Sequence, residues 1–394
     1  MKNLELYIHI PFCVKKCDYC DFLSFSADAR TQAEYVHALL GEIRHFGEKL
    51  RDYRVSTIYV GGGTPSWLEE GLFSAMMHQV YESFPVAEDA EVTVECNPGT
   101  VTEAKLKAYV NAGINRLSIG LQSADNEELK TLGRIHTYEQ FLKTYGLARN
   151  AGFYNINVDL MSGIPYQRAE SFAETLQQVI RLKPEHLSAY TLTIEKGTPY
   201  YDKYKFDAVR QQAGLKTQTL PDEDESYRMY KLTQRVLCKA GYERYEVSNY
   251  AKPGFACRHN IGYWTRENYL GLGLGAASMI ENVRFSNTRE LYTYIENCRH
   301  PETLTEEDYL EVTDLGRKEQ MGEFMFLGLR MTGGITRAAF EANFGVPIEV
   351  MYRAVLDDLK AQGLLAAAEG RIFLTDKGMD LANYCMARFF ITGE

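Results

Sequence analysis

Over the first two hundred residues, short apolar runs alternate with helical patterns, and that alternation leaves few folds open. Leu4–Ile10, Thr57–Val60, Glu91–Cys96, Arg116–Gln122, Tyr154–Leu160 and His186–Ile194 read as strands. Thr31–Leu50, Trp67–Phe84, Thr102–Asn111, Tyr138–Asn150 and Ala169–Arg181 read as the helices between them. Asn111-Ala-Gly113 and Asn150-Ala-Gly152 are matching helix stops, with glycine in the left-handed position. Strand–helix alternation of this length predicts a parallel sheet covered by helices. There are six units, two short of a closed eight-unit barrel. The expected fold is therefore α/β, with a partial (β/α)6 TIM-like barrel. In such architectures ligands bind at the C-terminal edge of the sheet, so the residues that end each strand are the first candidates for function.

The first strand runs directly into Cys13, Cys17 and Cys20, a C-x3-C-x2-C triad inside Tyr7-Ile-His-Ile-Pro-Phe-Cys-Val-Lys-Lys-Cys-Asp-Tyr-Cys-Asp-Phe22. Iron–sulfur clusters are held by Cys thiolates, and a four-iron cluster normally uses four. Three leave one iron open, the position that S-adenosylmethionine (SAM) chelates in radical SAM chemistry. A zinc site would offer a second Cys or Cys/His pair, and none follows at the usual spacing. A disulfide would need an oxidising compartment and would leave an odd cysteine. The spacing therefore points to a 4Fe–4S cluster on Cys13, Cys17 and Cys20.

Later strands end on polar residues. Gly61-Gly-Gly-Thr-Pro65 follows the second strand; without Cβ atoms, its backbone N–H and C=O groups can approach a ligand closely. A tight strand-to-helix turn explains the same three glycines. Glu95 ends the third strand, where a carboxylate can accept two ribose hydroxyls. Gln122 ends the fourth, Arg134 lies in Leu-Gly-Arg-Ile-His136, and Asp159 lies in Val-Asp-Leu-Met-Ser-Gly-Ile-Pro165. Amide, guanidinium and carboxylate on one rim can clamp the amine, carboxylate and sugar of an adenosyl amino acid. Each alone reads equally as a surface or packing residue.

Beyond residue 198 the pattern changes. Residues 198–226 read as an insertion or lid-like connector, Tyr227–Ala240 as a helix and Tyr242–Val247 as a strand. Thr313–Leu329, Arg337–Phe344 and Pro347–Gln362 read as helices. A hairpin across Gly363–Thr375 and a last helix from Asp376 follow. Three regions are expected: a barrel over 1–200, a connector and extension over 201–300, and a small winged-helix-like module over 301–394. That module carries nine Lys and Arg against sixteen Asp and Glu, a net charge of −7, where a DNA-binding wing would be basic. The whole chain of 394 residues carries −10, which gives broad binding to nucleic acid or to anionic membranes no electrostatic support. Eight cysteines and an N-terminus without an apolar leader point to a reducing cytoplasm. Peripheral contact at the inner face of the membrane and a homodimer stay open.

Tyr7-x-His-Ile-Pro-Phe-Cys, the triad, Gly-Gly-Gly-Thr-Pro, Glu-x-Asn-Pro, Gly-x-Gln-Ser and Asp-Leu-Met-x-Gly-x-Pro together resemble the oxygen-independent coproporphyrinogen III oxidase family of radical SAM proteins. The resemblance covers nearly the whole chain. Two departures set it beside the heme chaperone branch rather than the decarboxylating enzymes. Phe22 stands where those enzymes place a fourth cysteine, and the chain begins six residues before Tyr7. Cys257-Arg-His-Asn-Ile-Gly-Tyr-Trp264 also resembles the His-Asn-x-x-Tyr signature of that branch.

The resemblance implies two SAM sites. Tyr7, Gly62, Glu95 and Ala277 match contacts to the first, which is the one with the cluster; Tyr19, Gly63, Thr64, Gln122, Arg134, Asp159 and Thr193 match contacts to the second. It further implies heme as cargo, apo-hemoproteins such as respiratory cytochromes as recipients, and no oxidative decarboxylation. His259 is a natural axial ligand for heme iron and Tyr263 a second choice; a histidine beside Trp and Tyr is also commonly a hydrogen-bonded structural residue. The Gly-rich run Asn268–Ser278 can press against a flat ring or simply permit close packing.

Overall fold

The computed structural model describes residues 1–390. Six parallel strands form its centre: β1 (Lys2–Ile10), β2 (Tyr53–Gly62), β3 (Val86–Cys96), β4 (Arg116–Gln122), β5 (Ile156–Ser162) and β6 (His186–Thr191). Beyond β6, β7 (Glu243–Arg244) and β8 (Asn249–Ala251) add antiparallel. Beyond β1, β9 (Tyr269–Leu272) adds parallel, followed by antiparallel β10 (Ala277–Ile280), β11 (Val283–Ser286) and β12 (Leu310–Asp314). The two ends of the sheet do not pair, so the barrel is incomplete.

Strand alternation divides the sheet into two unlike faces. Leu4, Leu6, Ile8, Val55, Ile58, Val60, Val92, Val94, Leu117, Ile119, Val158 and Leu160 are buried in the main hydrophobic core, against the helices. Their neighbours are polar and face the other way: Glu5, His9, Thr57, Glu91, Thr93, Arg116, Ser118, Asn157, His186 and Ser188, all buried. A sheet buried on both faces usually reads as continuous apolar runs. Here one face is apolar and the other is a lined polar interior.

Local signals set the helices. Asp28 caps Ala29–Lys49 by accepting from the Thr31 N–H, and Thr137 with Gln140 forms a capping box for Tyr138–Asn150. Gly113 and Gly152 take φ of 80° and 95°, the left-handed stops expected. Residues 198–226 differ from expectation, because Pro199–Gln212 is a helix capped by Thr198. Its buried face is Tyr200, Tyr204 and Asp207, so no apolar stripe announces it. Leu310–Asp314 is likewise a strand, and the helix expected from Thr313 starts at Arg317, where the Glu319 carboxylate accepts from the Gly316 N–H.

The C-terminal helices, among them Arg337–Phe344 and Ile348–Ala361, pack with a three-stranded sheet: β13 (Ile335–Thr336), β14 (Leu365–Ala368) and β15 (Arg371–Leu374). Glu323 joins this module to the barrel by pairing with Arg266 and Arg284 at 3.3 and 2.7 Å. Arg330 lies 4.2 Å from the Trp264 ring centre. Among the described residues no helix is long and apolar enough to cross a membrane.

Candidate functional site

The triad occupies a loop pinned at both ends, Cys13 N–H donating to Phe25 C=O and Phe25 N–H to Pro11 C=O. All three cysteines are free and half-buried. The Thr64 hydroxyl donates to Cys13 Sγ at 3.4 Å, and Arg134 Nη1 to Cys17 Sγ at 3.7 Å. Arg134 thus brings a positive charge to the cysteine loop. Among the described residues no three Cys, His, Asp or Glu side chains converge as ligands of one ion would. A cube that takes each thiolate on a different iron needs no such convergence, so this donor set fits a 4Fe–4S cluster. Phe22 is 69% exposed beside it and supplies no ligand.

A cavity of about 530 Å³ opens from this loop. Its wall brings together Tyr19, Gly62, Gly63, Thr64, Glu95, Gln122, Arg134, Asp159 and Thr193 with the three cysteines. The glycine turn is hydrogen-bonded to the cysteine loop through Gly63 N–H to Ile10 C=O and Thr64 N–H to Phe12 C=O. Gly62 has φ of 110°, and a Cβ there would meet the His9 ring at 2.4 Å. The turn is thus a packing device and a ligand wall at once. Gln122 holds φ of 74°, a strained conformation for a residue with a side chain, next to an irregularity in the β4–β5 register. Asn97 escaped the sequence reading although it sits in the Glu-Cys-Asn-Pro run. It donates to Thr64 Oγ1 at 2.8 Å and accepts from Arg134 Nη2 at 2.6 Å, tying three rim residues together.

A second cavity, about 390 Å³, shares Phe22, Tyr59, Gly62 and Glu95 with the first and adds Tyr7, His259, Tyr263 and Ala277. Two residue sets that the sequence resemblance separates therefore line two adjoining spaces, but the three cysteines open onto the space of the second set and not, as the resemblance implies, onto that of the first. Glu95 stands between them, accepting from Tyr59 OH at 2.9 Å and Gly62 N–H at 3.0 Å. Burial and the neighbouring Asp159 carboxylate push its pKa up to about 7. His259 is 1% exposed. Its Nδ1 bonds Thr57 Oγ1 at 2.7 Å, its Nε2 bonds Tyr263 OH at 3.1 Å, and its ring stacks on Tyr59. Burial and Arg116 lower its pKa to about 3, so it is neutral. Both ring nitrogens are engaged, and His259 and Tyr263 both line the second cavity.

Behind this pair sits Glu5, 2% exposed, with one carboxyl oxygen unpartnered. A Cβ on Gly262 would meet its carboxyl at 1.9 Å, so only glycine lets the helix Arg258–Thr265 rest there. Burial, opposed by the Thr57 hydroxyl and reinforced by Glu267 and Glu91, pushes the Glu5 pKa up from 4.5 to about 9. Between those values the folded chain keeps a proton that the unfolded chain has released. Stability attributable to Glu5 is therefore intact below pH 4.5 and lost progressively as pH rises towards about 9. Glu5→Gln should flatten the fall of the urea midpoint across that window; a wild-type slope retained in the variant would assign the effect elsewhere.

The Asn268–Ser278 glycines serve packing. A Cβ on Gly271 would meet Ala277 backbone at 2.3 Å, and one on Gly273 would meet the Tyr35 hydroxyl at 2.5 Å. The turn thereby seats Ala277 at the second cavity.

With this geometry in view, comparison with known proteins is specific. The radical SAM superfamily pattern matches residues 7–179 and the HemN C-terminal domain pattern matches residues 307–381. The heme chaperone HemW of Escherichia coli (strain K12) is 37% identical over 388 residues, covering 98% of each chain. That of Lactococcus lactis is 35% identical over 391 residues, covering 99% of this chain and 98% of that protein. The mouse mitochondrial radical S-adenosyl methionine domain-containing protein 1 is 35% identical over 373 residues, covering 91% and 81%. Coproporphyrinogen III oxidase (HemN) from Escherichia coli, a radical SAM enzyme, superposes with a TM-score of 0.83 at 26% identity, covering 99% of this chain and 90% of that one.

Proposed function

The chain belongs to the heme chaperone HemW family of radical SAM proteins, and from that premise we propose that it binds heme and passes it to apo-hemoproteins. Cys13, Cys17 and Cys20 hold a 4Fe–4S cluster, and SAM occupies the adjoining cavities. When bound, the cluster supplies an electron and an open coordination position. The protein's own residues do the rest. Gly62 and Glu95 orient SAM from the wall shared by the two cavities, Arg134 and Asn97 brace the cluster loop and the rim, and Tyr7 and Ala277 line the far side. We assign the cluster and SAM to assembly or to redox-gated release of heme rather than to turnover.

The observation that carries the chaperone reading is Phe22, an exposed aromatic at the position where a fourth cysteine would mark a decarboxylase. Heme handover needs a reversible ligand at an accessible edge. His259 would first have to release Tyr263 or Thr57 to offer a nitrogen, and burial, which holds the Tyr263 phenol well above its usual range, opposes the phenolate that would bind iron. Titration of the purified protein with heme should give a stoichiometric spectral shift. Tyr263→Phe should displace or abolish it, and His259→Ala should weaken it by removing the partner that orients the phenol. A shift unchanged in both variants would move the heme to another surface.

The structural likeness to HemN supports a second reading, radical decarboxylation of porphyrinogen propionates. An anaerobic assay for protoporphyrinogen separates the two, and the chaperone reading expects none.

A further inference from the structure

Asp159 on the wall of the larger cavity has a polar layer behind it. Ser118, Asn157, His186 and Ser188 are each at most 3% exposed. Asn157 and Asp159 are two apart on β5 and so share a face, and the register sets Ser118 and His186 opposite Asn157 on the strands to either side. Asn157 and His186 line neither cavity.

Donor counting fixes the direction of each bond in this layer. A carboxylate only accepts, so the Asn157 atom facing Asp159 is the amide nitrogen. It donates to Asp159 Oδ1 and to Ser118 Oγ, both at 2.7 Å. That turns the Asn157 carbonyl oxygen towards His186 Nδ1 at 2.6 Å, where the Ser188 hydroxyl also donates at 3.1 Å. His186 Nδ1 therefore carries a proton. Burial, then Arg116, drive the His186 pKa well below its usual value, so the ring is neutral and Nε2 is bare. Nε2 accepts from the Tyr245 hydroxyl at 2.8 Å, and the Tyr245 oxygen accepts from Cys257 N–H at 3.4 Å. The backbone C=O of Tyr245 accepts from Thr332 N–H of the C-terminal module at 3.0 Å. The side-chain bonds run one way, from Tyr245 to the Asp159 carboxylate, and bonds in series polarise one another.

That direction matters at the cavity. The two ends of an Asn amide have nearly the same shape, and only their partners decide which way it turns. Reversed, the amide would aim N–H at the His186 N–H and its carbonyl at Asp159. Held by His186, it puts a donor on Oδ1, while the Ser118 hydroxyl donates to Oδ2 at 3.3 Å. Burial raises the Asp159 pKa, and the Asn157 bond leads the influences that lower it. Two bonds from behind thus set the carboxylate plane and favour its charged form. Its remaining lone pairs are left for a ligand.

We propose that His186 is a positioning residue for SAM in the cavity lined by the three cysteines. It fixes the Asn157 amide, and the amide sets Asp159 to accept from the amine or sugar hydroxyls of the ligand. The inference rests on the reading that SAM occupies this cavity. The test is equilibrium dialysis of SAM against the reconstituted protein, with cluster iron counted in every sample. Asp159→Ala identifies the SAM equivalent held beside Asp159. His186→Leu should weaken that equivalent by about tenfold to a hundredfold, the worth of a hydrogen bond to a charged group, with iron content unchanged. His186→Asn places an amide nitrogen where Nδ1 was and should restore most of the affinity. Asn157→Leu should weaken binding at least as much as His186→Leu, and the two together should cost no more than Asn157→Leu alone, since His186 acts through Asn157. Nitrogen NMR of the unmutated protein with 15N-labelled histidines should show the His186 proton on Nδ1, and it needs no variant to fold. Undiminished SAM binding in folded His186→Leu, a His186→Asn variant no better than His186→Leu, additive losses in the double variant, or a proton on Nε2 would overturn the inference and leave SAM in the cavity. If the unmutated protein binds no SAM, or Asp159→Ala loses none, the reading beneath it falls and takes the inference with it.

Discussion

Changing Cys13, Cys17 or Cys20 to Ser should leave anaerobically reconstituted protein colourless and low in iron, whereas the same change at Cys96, Cys238, Cys257, Cys298 or Cys385 should leave the brown chromophore intact. The two groups differ in setting as well as in spacing. The triad thiols are half-buried, and two of them receive hydrogen bonds from Thr64 and Arg134. Cys96 and Cys257 are buried, and burial pushes both thiols up to about 12; it raises the Cys20 thiol too, so what sets the triad apart is its place together on one half-exposed loop. Burial also raises the Cys298 and Cys385 thiols, and Cys238 is exposed on the helix Glu223–Lys239. A serine alkoxide is a poor substitute for a thiolate, and removing one of three ligands leaves the cluster on two. Iron and sulfide content measured beside the visible spectrum decides the matter. If one of the other five cysteines proves essential, the fourth iron is occupied by protein and SAM cannot chelate there.

How far a sequence of this kind can be read depends on how local each signal is. Strand Arg116–Gln122 and helix Tyr138–Asn150 match their expected bounds end to end, because a run of apolar alternation and a Thr137/Gln140 capping box are complete within the segment. The edge strands β7 to β12, of two to five residues, have little pattern of their own; their neighbours make them strands. The Pro199–Gln212 helix was hidden because tyrosines form its inner face while Phe206 and Val209 lie outside, reversing the usual amphipathic sense. For the site, the strand-end rule is enough to nominate Glu95, Gln122 and Asp159. It cannot tell that Asn97 links Thr64 to Arg134, since that link spans three separate segments. Nor can it tell which way His259 faces. That follows from its bond to Thr57, 202 positions away in the chain, and from the bond to Tyr263.

The second large effect concerns Glu42, which lines neither cavity. Glu42 belongs to the helix Ala29–Lys49 and is buried, yet it serves three donors on a distant part of the chain. Gly273 N–H reaches one carboxyl oxygen at 2.8 Å, Tyr294 OH the same oxygen at 2.6 Å, and Asn287 Nδ2 the other at 2.6 Å. Asn287 also donates to Gly273 C=O, and Tyr35 OH accepts from Leu274 N–H while donating to His9 C=O. One side chain thus clamps the turn between β9 and β10 to the first helix and, through it, positions Ala277. Burial raises the Glu42 pKa even with these donors lowering it. Glu42→Ala strands three buried donors and opens a void; at about 1–3 kcal/mol for each group left unpaired, the expected loss is about 3–5 kcal/mol. Glu42→Gln keeps the volume and two acceptor sites on its carbonyl oxygen but sets an amide donor against a donor, and should cost about half as much. Urea unfolding gives the totals. Hydrogen exchange gives the location: in Glu42→Ala, protection should fall first at residues 271–298, with the cysteine loop following less. Uniform loss across the chain would show that Glu42 supports the barrel as a whole and not this turn.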